Sequence, residues 1–282
     1  MQKLQIGILH PGEMGISVAV SARNGGHQLY WVSEGRSPAT AARAGQQGLK
    51  PLATLDQLCE ECSVILSVCP PHAAEEVADS VIATGFHGLY LDGNAISPQR
   101  AIQIGERMAA AGITFVDGGI IGGPAWKPNS TWLYLSGAQA EQVAACFAAG
   151  PLETKVIGPT IGAASALKMC YAAYSKGTTA LLAAILGAAD YWQVSDVLAS
   201  QWDHDTPNFT AQTQKRVQQV TAKAWRFAGE MEEISATLGA AGLPPGFHQA
   251  AAELYRRLAE FKDAPTTPSL NEVLDTLRVE PS

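Results

Sequence analysis

Apolar residues in the first half of the chain fall into short runs separated by amphipathic stretches. The runs Lys3–Leu9, Gln28–Val32, Ser63–Val68, Gly88–Leu91, Ile113–Val116 and Trp132–Leu135 have the length and composition of buried strands. Between them, Thr40–Gln47, Thr54–Glu61, Ala73–Ala83, Pro98–Ala111 and Ala140–Phe147 carry helical spacing. Strands that alternate with helices in this way predict an α/β unit with a mainly parallel sheet and helices on both faces. In such a sheet ligands bind beyond the carboxyl ends of the strands, and the chemically informative residues of this chain fall at those ends.

The first strand runs directly into His10-Pro11-Gly12-Glu13-Met14-Gly15 and a small-residue run that reads as a helix. A strand, a glycine turn and a helix N-terminus bring backbone N–H groups up to a dinucleotide pyrophosphate. The pattern matches G-x-G-x-x-G at Gly12 and Gly15, with His10 in place of the first glycine. Gly12 lets the backbone approach the phosphates and Gly15 lets helix and strand pack closely. His10 is expected to take up the unusual backbone conformation of the first position, since His tolerates positive φ better than most residues. The six residues from His10 to Gly15 are candidate cofactor contacts.

The second strand ends in Ser33-Glu34-Gly35-Arg36-Ser37-Pro38, where an acidic residue would grip the adenosine ribose of NAD. Arg36, Ser33 and the helix-capping Ser37 suit a 2′-phosphate, so NADP is favoured, with Glu34 as the alternative ribose partner and NAD as the alternative cofactor. The strand run Ser63–Val68 leads into Cys69-Pro70-Pro71-His72, whose prolines force an extended turn that sets the main chain of Cys69 and Pro70 against the cofactor. His72 reads as a solvent-facing turn residue. Two further loops complete the rim. Asn94 lies in Asp92-Gly-Asn94 and is a candidate contact for cofactor and substrate. Asp117-Gly-Gly-Ile-Ile-Gly122-Gly123 reads as a cradle whose N–H groups hold a carboxylate or oxyanion.

From residue 158 the composition changes. Between Lys155 and Asp190 the only charges are Lys168 and Lys176, in a stretch rich in Ala, Leu, Gly, Ser and Thr. It is too interrupted for a membrane span and predicts one long helix over about 161–189. Lys168, Ala172 and Lys176 share a face at intervals of four, with Tyr171 and Ser175 near the same stripe. Beyond it, Asp190–Trp202, Ala211–Ala240 and Gln249–Phe261 read as helices, and Ser269-Leu-Asn-Glu272 opens a tail helix with a capping box. His248 follows a Pro-Pro-Gly turn, and Arg226 and Glu230 have the spacing of an intrahelical pair.

At 282 residues the chain is long enough for two domains, and a net charge of −7 leaves no basic footprint for nucleic acid or an anionic membrane. The chain reaches its first strand within a few residues, so no secretory signal is expected and a cytoplasmic location follows. Five cysteines, an odd number, are expected to be reduced, and Cys59-x-x-Cys62 lacks the second pair or His cluster a metal site needs. No metal is expected.

The ordered combination of glycine turn, proline after the Ser63–Val68 strand, Asp92-x-x-x-x-x-Pro98, Asp117-x-x-x-x-Gly122-Gly123 and a glycine-rich lead into a helix bearing Lys168 resembles the β-hydroxyacid dehydrogenases and 6-phosphogluconate dehydrogenase. The resemblance covers roughly residues 4 to 190. Runs such as Gly35-Arg-Ser37 and Ala224-Trp-Arg-Phe-Ala-Gly-Glu230 bring the chain closer to a bacterial subgroup with a C-terminal helical domain of unassigned function. The resemblance implies a Rossmann-type dinucleotide-binding domain over 1–160 and an all-α domain for dimerisation and substrate over 161–282. It implies that Lys168 exchanges the proton of a substrate hydroxyl while hydride moves to or from the nicotinamide, and that two copies of the chain form a homodimer. Gly122, Gly123, Tyr171 and His248 join Asn94 as substrate candidates. The chain departs from the family at Asn94-Ala95, where Ser-Thr is usual, at Ile121 in place of Ser, and at Tyr171 or Ala172 in place of Asn. These changes remove hydroxyl and amide donors for a simple β-hydroxyacid. The expected activity is therefore an NAD(P)-dependent interconversion of alcohol and carbonyl on a small polar metabolite. Imine reduction on the same scaffold and non-catalytic NADP sensing are the alternatives.

Overall fold

The computed structural model describes residues 3–278. The chain forms two compact units that divide between Met169 and Cys170.

The first unit is built on one eight-stranded sheet in the order β3-β2-β1-β4-β5-β6-β7-β8. Its strands are β1 (Gln5–Ile8), β2 (Gln28–Val32), β3 (Lys50–Leu52), β4 (Val64–Ser67), β5 (Leu89–Asp92), β6 (Thr114–Gly122), β7 (Thr131–Ser136) and β8 (Glu153–Gly158). Neighbours pair in parallel except β6 and β7, which run antiparallel. Helices α1 (Glu13–Arg23), α2 (Pro38–Gln46), α3 (Leu55–Glu61), α4 (Ala74–Ala83), α5 (Pro98–Ala110) and α6 (Ala140–Phe147) connect the strands, and α7 begins at Ala163.

The central strands are apolar throughout because both faces are covered. Ile6, Ile8, Leu29, Trp31, Leu66 and Leu91 pack with Ile16 of α1 and Val143 and Phe147 of α6. On the other face Tyr30, Ile65, Tyr90 and Phe115 pack with Leu58 of α3, Val81 of α4, and Ile104 and Met108 of α5. Each fully buried side chain of this size contributes about 1.5–3 kcal/mol.

The chain order reverses at β1, which lies between β2 and β4. The crevice of a doubly wound sheet opens at such a point, so the ends of β1 and β4 flank the binding region.

Three features differ from the sequence expectation. The edge strands β3 and β8 carry no apolar run: β3 is three residues containing Pro51, which an edge position tolerates, and β8 is only partly buried. The glycine-rich segment after Asp117 is a continuation of β6, not a loop, because β7 pairs with it residue by residue from Asp117↔Ser136 to Gly122↔Thr131.

The second unit is helical. The expected single helix over 161–189 is interrupted: α7 (Ala163–Ala172) is followed by a π-helical turn at Ala173–Gly177 and then α8 (Thr178–Tyr191). The helix expected from Asp190 instead starts later, as α9 (Ser195–Asp205), because the chain turns at Gln193 with φ 55°. The long α10 (Phe209–Ala240) packs along α11 (Gly246–Arg257) through Phe227 and Tyr255, whose rings meet edge-on at 5.6 Å. The last helix, α12 (Leu270–Leu277), has the capping box expected at Ser269 and Glu272. Among the described residues no helix is long and apolar enough to cross a membrane.

Candidate functional site

Gly12 is the N-cap of α1, with φ −69° and ψ −173°, and no side chain caps the helix there. A Cβ on Gly12 would meet nothing within 4 Å, whereas one on Gly15 would lie 2.3 Å from the carbonyl oxygen of His10. Gly12 thus leaves open space before the helix N-terminus, and Gly15 closes the helix onto the turn. His10 does not occupy the left-handed region, which among the described non-glycine residues is confined to Asn129, Gln193, Asn208 and Asp263. The expectation of positive φ at His10 is corrected accordingly: an L-residue fits there without strain. Burial, and then the charge of Arg36, lower the His10 pKa to about 4, so the ring is neutral at physiological pH. Its buried Nδ1 has no partner in the protein. Of the remaining turn residues, Pro11 is buried and accepts a bond from Arg43 at its carbonyl, Glu13 is exposed, and Met14 is half-buried against the core.

At the end of β2, Ser37 caps α2 by accepting from the Thr40 N–H, with Pro38 in the first turn. Ser33 and Arg36 are arranged differently from the expectation. The Ser33 hydroxyl donates to the carbonyl of Leu52 at 3.0 Å, so its proton is spent inside the sheet and cannot serve a phosphate. Arg36 turns inward, its Nη2 donating to the Leu9 carbonyl at 3.1 Å, because that carbonyl lies at the end of the neighbouring strand. Its Nε is buried without a partner. Leu9, His10, Val32, Arg36, Leu55, Val77 and Ser80 line a cavity of about 140 Å³.

Across β4, β5 and β6 the register sets Ser67, Asp92 and Asp117 side by side. The Asn94 side chain accepts from the Cys69 N–H and donates to Ser67 Oγ and Asp92 Oδ2, and its backbone N–H donates to Asp92 Oδ1. All of its polar side-chain atoms are engaged and it is fully buried. Asn94 positions the loop after β4, and the Cys69 N–H, used by Asn94, is removed from the ligand-facing groups. The Pro70 carbonyl accepts from Ala73. Burial pushes the Cys69 thiol up to about 12, which keeps it protonated. Burial also pushes Asp92 up to about 7, with the nearby Asp117 charge adding and the Asn94 hydrogen bonds opposing.

Asp117 is the group that sequence reasoning passed over. Its Oδ2 accepts from Ser136 Oγ and from the backbone of Gly162 and Ser165, and its Oδ1 accepts from Ser165 Oγ at 2.6 Å. A buried carboxylate thereby anchors the N-terminal turn of α7, where helix N–H groups favour negative charge. The nearest signal was an acidic residue at a strand end, but its partners lie far along the chain. A Cβ on Gly118 would fall 2.9 Å from the Asp92 carbonyl, and one on Gly119 would fall 2.5 Å from the Ala164 carbonyl and 3.1 Å from Lys168 Cβ. The absent side chains let α7 settle on the sheet with Lys168 over Gly119. The expected anion cradle is therefore corrected for this part of the segment, because the strand is paired along its length and its glycines serve close packing. At its end Gly122 has φ 128°, the Gly123 carbonyl accepts from Thr131 Oγ1, and the space around Gly123 is open.

Within the helical unit Tyr171 is about half exposed. Lys176 lies in the π-helical turn, ion-paired with Glu230 and 4.4 Å from the centroid of Phe227. The wider turn rotates Lys176 off the stripe expected to carry it with Lys168. It also corrects the reading of Glu230, which turns to Lys176 rather than serving only its own helix. His248 is buried against Gly177, where a Cβ would fall 2.7 Å from its Nε2, and burial lowers its pKa. Both of its ring nitrogens are buried without a hydrogen-bond partner in the protein.

Residues 5–149 match the NAD-binding domain of 6-phosphogluconate dehydrogenase. The chain belongs to this family. Residues 189–258 match a domain of unknown function, DUF1932. No functionally curated protein matches the chain in sequence. Among solved structures, it is similar to a conserved protein of unknown function described as structurally similar to 3-hydroxyacid dehydrogenases, at 26% identity and TM-score 0.70, covering 91% of this chain and 97% of that one. It is also similar to 3-hydroxyisobutyrate dehydrogenase from Mycobacterium tuberculosis, solved with L-serine, at 16% identity and TM-score 0.72, covering 99% and 100% of the two chains. A reductive aminase from Aspergillus terreus, solved with NADPH and ethyl levulinate, matches at 17% identity and TM-score 0.57 over 98% and 100%. The likeness to these last two is one of fold.

Membership of the family makes the chain a nicotinamide-cofactor oxidoreductase, and the turn fits a dinucleotide on its own terms. Gly12 offers open space, the N-terminus of α1 has no side-chain cap, and buried nitrogens of His10 and Arg36 lack protein partners beside it.

Proposed function

We propose that the chain is an NADP-preferring dehydrogenase that interconverts an alcohol and a carbonyl on a small polar metabolite, with Lys168 as general acid and base. The observation that carries this reading is the seating of Lys168: α7 is anchored at its start by Asp117 and packed on Gly119, which fixes the lysine at the sheet end where ligands of this fold bind. When bound, the nicotinamide dinucleotide supplies one chemistry, the acceptance or return of a hydride. The chain supplies the rest. The N-terminus of α1 and the backbone at Gly12 hold the pyrophosphate, and Arg36 with the Ser37 cap serves the 2′-phosphate. In oxidation Lys168 Nζ takes the proton from the substrate hydroxyl, and in reduction it returns that proton to the carbonyl oxygen. The substrate contacts of this reading are drawn from Asn94, Gly122, Gly123, Tyr171 and His248. A second copy of the chain is the proposed partner, through the helical unit.

Imine reduction is the second reading, favoured by the fold shared with an NADPH-bound reductive aminase. The test is a screen of purified protein for NADPH formation across hydroxy acids, sugar acids and amino alcohols. Turnover of at least one alcohol with NADP supports the dehydrogenase. Amine formation from carbonyl and amine, with no alcohol turned over, would replace it with the second reading.

A further inference from the structure

Ala173–Gly177 form a π-turn between two α-helical stretches, a rare departure from helix geometry that frequently marks a functional site. Side chains of α10 and α11 hold it. Arg216 donates to the Ser175 carbonyl and to the Thr179 hydroxyl, and the Tyr255 hydroxyl donates to the Lys176 carbonyl at 2.8 Å. Lys176 closes the arrangement, its Nζ paired with Glu230 and set over the Phe227 ring. Only 19% of the Lys176 side chain and 11% of the Glu230 side chain are exposed, so water and salt screen the pair little.

The turn also touches both substrate candidates of the helical unit. The Ser175 hydroxyl donates to the Tyr171 carbonyl at 3.0 Å, which ties the helix end bearing Tyr171 to the turn. Gly177 lies so close to His248 that a Cβ there would fall 2.7 Å from its Nε2, and both His248 ring nitrogens are buried without a protein partner. Arg216, Phe227, Glu230 and Tyr255 all fall within residues 189–258, the stretch that matches the domain of unknown function.

We propose that the Lys176–Glu230 pair is a positioning pin: by holding the π-turn it sets the direction of Tyr171 and the seat of His248, and so governs how tightly the substrate binds without touching it. The pin rests on the reading of Tyr171 and His248 as substrate contacts. It gives the C-terminal stretch a definite task, the shaping of the substrate side. Lys176 differs in role from Lys168: its ammonium is committed to Glu230, so its loss moves KM rather than kcat.

The test compares the parent with Lys176→Met, which removes the charge, and with Lys176→Arg, which keeps it. Proteins labelled with 3-fluorotyrosine are read by fluorine NMR, with Tyr171→Ala identifying the Tyr171 resonance. The pin predicts that this resonance shifts in Lys176→Met and keeps its parent position in Lys176→Arg. On a substrate found by the NADPH screen, Lys176→Met should raise KM by about tenfold with kcat within about twofold of the parent, and Lys176→Arg should stay within about threefold in KM. An unshifted resonance, or a fall in kcat at unchanged KM, would overturn the pin. So would a KM that Tyr171→Ala raises and Lys176→Met does not, an outcome that leaves Tyr171 standing as a substrate contact. A KM unmoved by Tyr171→Ala would overturn that contact and the pin with it. If Lys176→Met does not fold, the double variant Lys176→Met/Glu230→Met leaves no buried charge unpaired and is read in the same way.

Discussion

Two corners of the same sheet are built in opposite ways. At the ends of β5 and β6, Asp92, Asn94 and Asp117 are fully buried, and their side-chain oxygens and amide all meet partners within the protein. At the ends of β1 and β2, His10 and Arg36 each keep a buried nitrogen without one. A closed network fixes backbone and gains nothing from a ligand, whereas buried unpaired nitrogens are satisfied when a ligand arrives. The first corner therefore sets the geometry of α7 and the β4 loop, and the second is the corner proposed to meet the cofactor. Substitutions in the first should act on stability, and those in the second on binding.

The largest effect is expected at Asp117. Asp117→Ala leaves Ser136, Ser165 and two backbone N–H groups without their acceptor, and should cost about 3–5 kcal/mol in urea unfolding. A loss below about 1 kcal/mol would show that the closed network is not what holds α7.

A smaller contrast separates the two glycines of the turn. Gly15→Ala drives a methyl into the His10 carbonyl and should cost about 2 kcal/mol. Gly12→Ala enters open space in an allowed conformation, so its stability should change by less than about 1 kcal/mol. Dinucleotide binding to Gly12→Ala should nevertheless weaken by about tenfold, since the methyl stands where the pyrophosphate approaches. A Gly12→Ala protein that binds the dinucleotide normally would remove the turn from the cofactor site.

The gentlest probe is pH, because the two corners bend the stability curve in opposite directions. Asp92 is raised from 3.8 to about 7, so the folded state holds its proton longer than the unfolded chain, and stability from this group falls as pH rises through that window. His10 is lowered from 6.5 to about 4, so the unfolded chain binds the extra proton, and stability from this group is lost as pH falls from 6.5 toward 4. Urea midpoints between pH 4 and 7 should therefore rise more steeply with pH in Asp92→Asn than in the parent, and fall in His10→Asn. Parallel curves for all three proteins would contradict both assignments.

The sheet was legible because strands covered on both faces must be apolar along their length, and that run is visible without tertiary information. The edge strands escaped notice for the converse reason, since β3 and β8 bury too little to leave a pattern. Glycine misled at Gly118 and Gly119, where the same residue that marks a turn instead permits the close approach of α7. The glycine turn at Gly12 and Gly15 was readable because its chemistry is local. The inward direction of Arg36 was not readable, because the Leu9 carbonyl that holds it is reached only when β1 and β2 pair. Asp117 depends on Gly162 and Ser165, which only the folded sheet brings to it. The π-helical turn that contains Lys176 shifts a helical stripe, a change to which composition is blind.

The central claim is that the closed corner exists to seat Lys168 for proton exchange while the open corner binds the cofactor independently. Lys168→Met keeps side-chain length and apolar packing but removes the exchangeable proton. On a substrate found by the NADPH screen, turnover should fall by about 10²-fold or more, with NADP affinity by titration nearly unchanged. Undiminished turnover in Lys168→Met would contradict the account.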